Sequence, residues 1–304
     1  MSRQWKRNVE VLVGSQDEGI VVNQLRILFD ITKTVDEIPN SVVVKIYNLN
    51  PTNEAKIKNE YKDMVVRAGY VDQERLIFTG SIKYVYRYRE GNDYVTEIEG
   101  GDGDEDYKTS VINETLAAGT SDSQLIDKAV STFGTTKKGH VKLKGKTRRR
   151  GKVVTGNTRD IVRQVAIRNG ANWSIQDGQL TIVHVDDTLP DEAIVINSET
   201  GMLSAPETND RGIAVKCLLN PQLKINGTIQ LNNNDIKAKR NRPQSLAVPR
   251  EKKEDVQQDP VRQDPDGIYK IIKITHKGDN RGNDWFSEIE CVGIGEPIPK
   301  SRNV

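Results

Sequence analysis

The first hundred residues are cut into short runs in which apolar and polar side chains alternate, and a period of two restricts this part of the chain to β-strands. "NVEVLV", "QLRILFDI", "SVVVKIYNL", "DMVVRAGY", "RLIFTGSIKYVYRY" and "DYVTEIEG" are rich in Val, Ile and Tyr and are divided by Gly, Asn, Asp and Pro. Such strands bury one face and wet the other, so they must pair over a shared core. "EGND" between two of them reads as a hairpin turn. One helix is predicted after Asn50-Pro51, with Pro at its start and Glu54 in its first turn. The expected unit is a small antiparallel barrel or sandwich over residues 1–106.

The period then changes. In "TSDSQLIDKAVSTFG", Leu125, Ile126, Ala129, Val130 and Phe133 form one helical stripe ending at Gly134. "GNTRDIVRQVAIRNGANW" repeats the design, with Asn157 or Thr158 as N-cap, Ile161, Val162, Val165 and Ala166 on one face, and Gly170 past the end. "NWSIQDGQLTIVHV" follows as two strands turned at Asp177-Gly178. Residues 107–192 are therefore expected to form an α/β insert. Strand patterns return over 193–304, predicting a second β-barrel or sandwich. A polar stretch over 232–266, dense in Asn, Lys, Asp, Gln and Pro, is expected to project from it as an extended arm. The fold class is thus mainly β (α+β): two antiparallel β domains with an intervening α/β insert.

Charged residues make up 29% and mean hydropathy is −0.62, which suits a surface-rich body or a subunit of an assembly. A formal net charge of +2 gives no global attraction to polyanions, so any electrostatic role must come from local clusters. No apolar run is long enough to cross a bilayer, and the opening "MSRQWKRNVEVLVG" lacks a signal-peptide core, so assembly in a cytoplasm is expected. Cys217 and Cys291 each sit in a strand-like run and read as buried structural thiols.

"EGGDGDEDYK", residues 99–108, nearly fits a calcium loop, with Asp102, Asp104 and Asp106 at its first, third and fifth positions. The fit fails at Tyr107, where glycine is required, and at Asn113, where the bidentate acid belongs. A solvated acidic turn, or a contact with a partner, is the simpler reading. His140, His184 and His276 stand apart from any Cys or His at ligand spacing, and no nucleophile elbow or phosphate loop occurs. The expectation is therefore no catalytic constellation, metal or cofactor. One cluster stands out: Lys137, Lys138, Lys142, Lys144, Lys146, Arg148, Arg149, Arg150 and Lys152 fall in sixteen residues without an acid. A solvated loop, an acidic protein partner and a nucleic-acid backbone all fit it, and the lack of aromatics argues against base stacking.

Several stretches, in order, resemble the baseplate hub proteins of tailed bacteriophages, a family shared with contractile injection machines. They are "FDITKTVDEIPNSVVVKIYNLNPTNEAKI", "VVRAGY", "IFTGSI" and "GDGDED" early, "TRDIVRQVAIRNGANWSIQDGQLTIV" in the middle, and "GMLSAPETNDRGIAVKCLLNPQLKING" and "GIYKIIKITHKGDNRGNDWFSEIEC" late. The resemblance implies a homotrimeric ring of pseudo-sixfold symmetry in the virion baseplate. Such a ring joins the hexameric tail tube to the trimeric central spike and lines the DNA exit channel, with the tube, spike and other baseplate proteins as partners, passing contact with genomic DNA, and no membrane. A hub-associated protein that binds nucleic acid or degrades cell wall is the alternative. Asn48 and Asn50 are expected to bond backbone at the strand end. His276 to Trp285 is expected to be a long hairpin loop in which Gly278 and Gly282 permit tight turns and Trp285 anchors the core. The acidic turn would mark the exit from the first β domain, with the "KTRRR" loop as a possible counter-charge. The arm is longer than the simple hairpin connection the family pattern needs, and the basic loop belongs to none of its motifs.

Overall fold

A computed structural model describes residues 6–15, 18–71, 74–145, 147–209, 211–232, 237–238 and 267–296. Lys146 and nearly all of the 232–266 arm lie outside the described residues. The first segment holds β1 (Arg7–Gly14), β2 (Gly19–Val22), β3 (Ile27–Thr34), β4 (Ser41–Tyr47), α1 (Pro51–Asn59), β5 (Asp63–Tyr70), β6 (Arg75–Glu90) and β7 (Asp93–Gly101). The middle holds α2 (Asp104–Thr109), β8 (Val111–Leu116), α3 (Asp122–Val130), β9 (Lys137–Val141), β10 (Lys152–Asn157), α4 (Thr158–Asn169), β11 (Ala171–Gln176) and β12 (Gln179–His184). The last segment holds β13 (Ile194–Val195), β14 (Met202–Asn209), β15 (Gly212–Leu218), β16 (Thr228–Gln230), β17 (Lys237–Ala238), β18 (Ile268–Asp279) and β19 (Trp285–Gly293).

Alternation sets the strand faces as expected: in β3 every second residue, from Ile27 through Phe29 and Ile31, is buried. Asn50 caps α1 by accepting from Thr52 N–H, and Gly170 ends α4 in the left-handed conformation. Asp177 and Gly178 both take positive φ, as a two-residue hairpin between β11 and β12 demands.

The pairing of the strands departs from two separate barrels. The first and last segments share one large, mostly antiparallel sheet in the order β17-β14-β15-β19-β18-β3-β4-β7-β6-β5-β1-β2, and no closed barrel forms among the described residues. The join is β3 to β18, from Thr34 opposite Lys273 to Leu28 opposite Asp279. Period-two patterning tells which side of a strand is apolar and says nothing about which strand lies beside it.

Three apolar clusters fill the molecule. One gathers the first segment around Phe29, Ile31, Val44 and Phe78, and takes in Leu219 and Trp285 from the last. A second gathers Val215, Ile229, Tyr269, Ile274 and Ile289 with Val35. The third lies within the middle segment, around Trp173, Ile126, Val162 and Ile182.

The hairpin at the end of the chain is also tighter than its glycines suggested. β18 runs to Asp279, so His276 and Gly278 lie in the strand and only residues 280–284 form the turn. Gly278 serves close approach: a Cβ there would stand 2.3 Å from Phe29 Cζ and 2.9 Å from Trp285 Cε3. Trp285 is buried as a core anchor, edge-on to Phe29 with centroids 5.6 Å apart. Gly278→Ala should therefore overpack the joint between the two halves and lower stability by about 1–3 kcal/mol. Urea denaturation measures this, and Phe29→Leu in the same chain should restore part of the loss.

Candidate functional site

The three aspartates of the acidic segment are buried and individually engaged, contrary to the solvated turn expected from sequence. Asp104 and Asp106 belong to α2, and each of the three carboxylates faces a different part of the chain. Asp106 accepts the N–H groups of Gly134 (2.6 Å), Thr135 (3.1 Å) and Thr136 (2.7 Å), which ties α2 to the segment after α3. Burial pushes its pKa up, and the hydrogen bonds from 134–136 outweigh that and hold it below the ordinary value. Asp104 pairs with Lys83 (2.9 Å) and Lys108 (2.6 Å), which likewise overcome burial and lower its pKa. Among the described residues none of the arginines of "KTRRR" pairs with these carboxylates, which nearer donors occupy.

Asp102 is fully buried at the tip of the β11–β12 hairpin. It accepts the N–H of Asp177 and that of Gly178 (2.8 Å). Asn40 donates to Ile175 O (2.9 Å), and Gln176 Nε2 donates to Thr34 O (2.8 Å). Lys33, nearly buried, donates to both oxygens of the Asp177 carboxylate at 2.7 Å. Burial and the neighbouring charge of Asp177 raise the Asp102 pKa to about 6, with the N–H donors and Lys33 offsetting only part.

The far end of the same hairpin is held by a charge of opposite sign. Lys270, buried in β18, donates to the carbonyls of His184 (3.3 Å), Val185 (3.2 Å) and Asp187 (2.7 Å). Burial lowers its pKa to about 8, so the ammonium is still the main form at neutral pH. Further along β18, His276 is 1% exposed and shares a 2.8 Å hydrogen bond with Ser287; burial, with Lys33 adding, brings its pKa to about 3 and keeps it neutral. Sequence reading missed Lys33 and Lys270 because a lysine inside an alternating strand looks like a solvated position.

The outward face of the large sheet carries charge in directly opposed pairs. Lys45 faces Glu97 (3.3 Å), Lys277 faces Asp30 (3.2 Å), Lys216 faces Glu288 (3.0 Å) and Lys273 faces Glu290 (3.2 Å). In each pair the two residues are cross-strand partners, and together they span both halves of the sheet. Tyr84, Tyr86 and Tyr88 continue this face along β6, with Tyr84 and Tyr86 stacked. Exposed pairs of this kind add little stability, about 0–1 kcal/mol each. Their effect is to leave the face polar and electrically balanced.

The structure divides the basic cluster. Lys137 and Lys138 lie in β9 and Lys152 opens β10, so it is only in part a loop. Lys138 pairs with Asp127, and Lys142 with Asp187 at 3.1 Å. Lys144 is exposed. Arg148 and Arg168 both reach Asp122, which is fully buried at the start of α3. Arg149, Arg150 and Lys152 are exposed and form no ion pair among the described residues.

This fold, one broad and mainly antiparallel sheet with an α/β insert, is shared with phage tail proteins. Solved structures of that class overlay on nearly the whole chain. The prophage MuSo2 43 kDa tail protein from Shewanella oneidensis is 10% identical, covers 94% of this chain and 97% of its own, and gives a TM-score of 0.58. The tail protein of Neisseria meningitidis MC58 is 9% identical over 94% and 96%, with a TM-score of 0.61. An Escherichia coli type VI secretion component, described as similar to the T4 tail proteins gp27 and gp5, is 10% identical over 90% and 76%, at 0.56. At these identities the likeness is one of fold. Residues 8–235 match the family described as baseplate hub gp41, and the chain belongs to that family, as a structural component of the phage tail baseplate. A search of curated proteins by sequence finds no match.

Two substitutions test the joints. Asp106→Ala leaves three backbone donors without their acceptor and should cost about 2–4 kcal/mol in chemical denaturation. The folded-state pKa of Asp102, about 6, lies above the ordinary aspartate value of 3.8, so its ionised form weighs against folding at neutral pH. That penalty is relieved as pH falls from about 6 towards 4. The stability of the wild type relative to Asp102→Asn should therefore rise between pH 7 and pH 4.5. A difference that stays flat or falls would show that folding does not raise the pKa of this carboxyl.

Proposed function

We propose that three copies of this chain form the baseplate hub ring, with the joined halves of each copy supplying pseudo-sixfold symmetry. Residues 1–106 and 193–304 act as the two tube-like halves and residues 107–192 as an insert. The ring adapts a hexameric tail tube to a trimeric central spike and surrounds the path of the exiting genome. The protein acts there as a structural, non-catalytic subunit.

The observation that carries this reading is the β3–β18 pairing, which makes one sheet from two chain segments and gives it one charged face. An assembly that meets sixfold symmetry on one side and threefold on the other needs two comparable surfaces per subunit. Family membership and the likeness of the secretion component to tail proteins of phage T4 support the same placement. A sheet face whose lysines are each opposed by an acid suits the wall of a DNA channel, since a passing polyanion would be neither trapped nor repelled.

Native mass measurement should give about three times the 34.1 kDa of one chain. Electron microscopy of the same sample should show rings with an open centre. A chain that stays monomeric even when mixed with its tube and spike proteins would refute the ring.

A further inference from the structure

The basic cluster resolves into a shallow bowl at one end of the insert, lined by Thr147, Arg148, Arg149, Arg150, Lys152 and Arg168, with a volume near 460 Å³. Its floor is built. The buried carboxylate of Asp122 holds Arg168 at 3.3 Å and Arg148 at 3.6 Å, and accepts from Asn169 Nδ2 at 2.8 Å. Arg168 Nη2 also donates to Thr147 O at 3.2 Å. The strand-like approach of Arg148 to Thr120, N–H to O at 3.0 Å, with Gly119 N–H returning to Arg148 O at 2.8 Å, fixes the loop backbone. Against one acid stand five cations, and the outer three, Arg149, Arg150 and Lys152, are exposed without an ion pair among the described residues.

Three of the four most exposed large aliphatic side chains among the described residues lie on the insert, two of them next in sequence to residues of the bowl. Ile167, immediately before Arg168, is 69% exposed, and Val153, immediately after Lys152, is 61% exposed. Val111 is 64% exposed and shares with Val153 the outward face of the β8–β10 ribbon, since Val153 lies opposite Thr115 and Val111 opposite Asn157. A nucleic-acid backbone rewards cations and gains nothing from exposed aliphatic side chains, and the bowl offers no aromatic ring for a base. A protein segment rewards both: carboxylates bind bidentate to arginine while apolar side chains cover the valines and isoleucine.

From this we infer that the insert docks an acidic segment of a partner protein, one whose carboxylates enter the bowl and whose interspersed aliphatic residues cover Val153, Ile167 and Val111. The surface lies on the insert and does not depend on ring formation. The double variant Arg149→Glu with Arg150→Glu removes the outer charge while leaving the Asp122 floor in place. It should melt like the wild type, and Lys152→Glu provides a second, milder reversal.

The test uses the full chain at about 50 mM salt and three labelled probes: a short peptide of Glu interspersed with Leu, an all-Glu peptide of the same length, and a duplex DNA oligonucleotide. The mixed peptide should bind best. Its affinity should fall at least about tenfold in the arginine double variant, and several-fold in Lys152→Glu and in Val153→Ser. Tighter binding of the duplex than of the mixed peptide would overturn the inference in favour of a phosphate backbone. Equal binding of both peptides, equal binding by wild type and double variant, or no peptide binding at all would each overturn it outright.

Discussion

Strand β18 is the element on which the rest of the structure depends. Along one edge it pairs with β19 from Tyr269 to Gly278; along the other it pairs first with β16, at residues 268–270, and then with β3, at residues 273–279. It is therefore the place where segments more than two hundred residues apart in sequence share backbone hydrogen bonds. Contacts of such separation cost loop-closure entropy before they give anything back, and here the intervening chain folds into an insert with its own core. The ring packing of Phe29 and Trp285 around Gly278 occurs at this same junction, so pairing and core filling reinforce each other.

How the insert is fastened follows a different rule. Its hairpin β11–β12 is gripped at the turn by an anion, Asp102, that accepts backbone N–H groups, and at the exit by a cation, Lys270, that donates to backbone carbonyls. Each buried charge is matched to the unpaired end of the backbone it meets, which is how such charges become tolerable in a desolvated site. Apolar packing alone could slide, whereas two charges of opposite sign at the two ends of one hairpin fix both its position and its direction. The joint favours a defined orientation over maximal stability, in keeping with the raised pKa of Asp102 and the lowered pKa of Lys270.

Much of the secondary structure was legible because it is local. The alternating runs, the Asn50-Pro51 helix start, the Gly170 stop and the Asp177-Gly178 turn each carry their own physical cause within a few residues. What stayed hidden depended on distant partners. Five carboxylates in ten residues looked like a solvated turn, yet the neighbours that bury Asp102 and Asp106 arrive from residues 134–136 and 177–178. Gly278 looked like a turn glycine because the ring it accommodates lies in β3. Lys33 and Lys270 carried no signal at all, and Asp122 was legible only as a residue at a helix start.

The distribution of charge separates two jobs within one nearly neutral chain. On the sheet face each of four lysines is met by an acid directly across the strand pair, so these pairs add no net field beyond a screening length of about 8–10 Å. At the bowl of the insert the acid that meets the arginines, Asp122, is buried and shared between two of them, which leaves Arg149, Arg150 and Lys152 without an ion pair among the described residues. A surface meant for passage gains from cancellation and one meant for holding gains from excess. With the excess on the insert, away from the paired face, a single subunit carries one surface whose charges cancel and one whose charges do not.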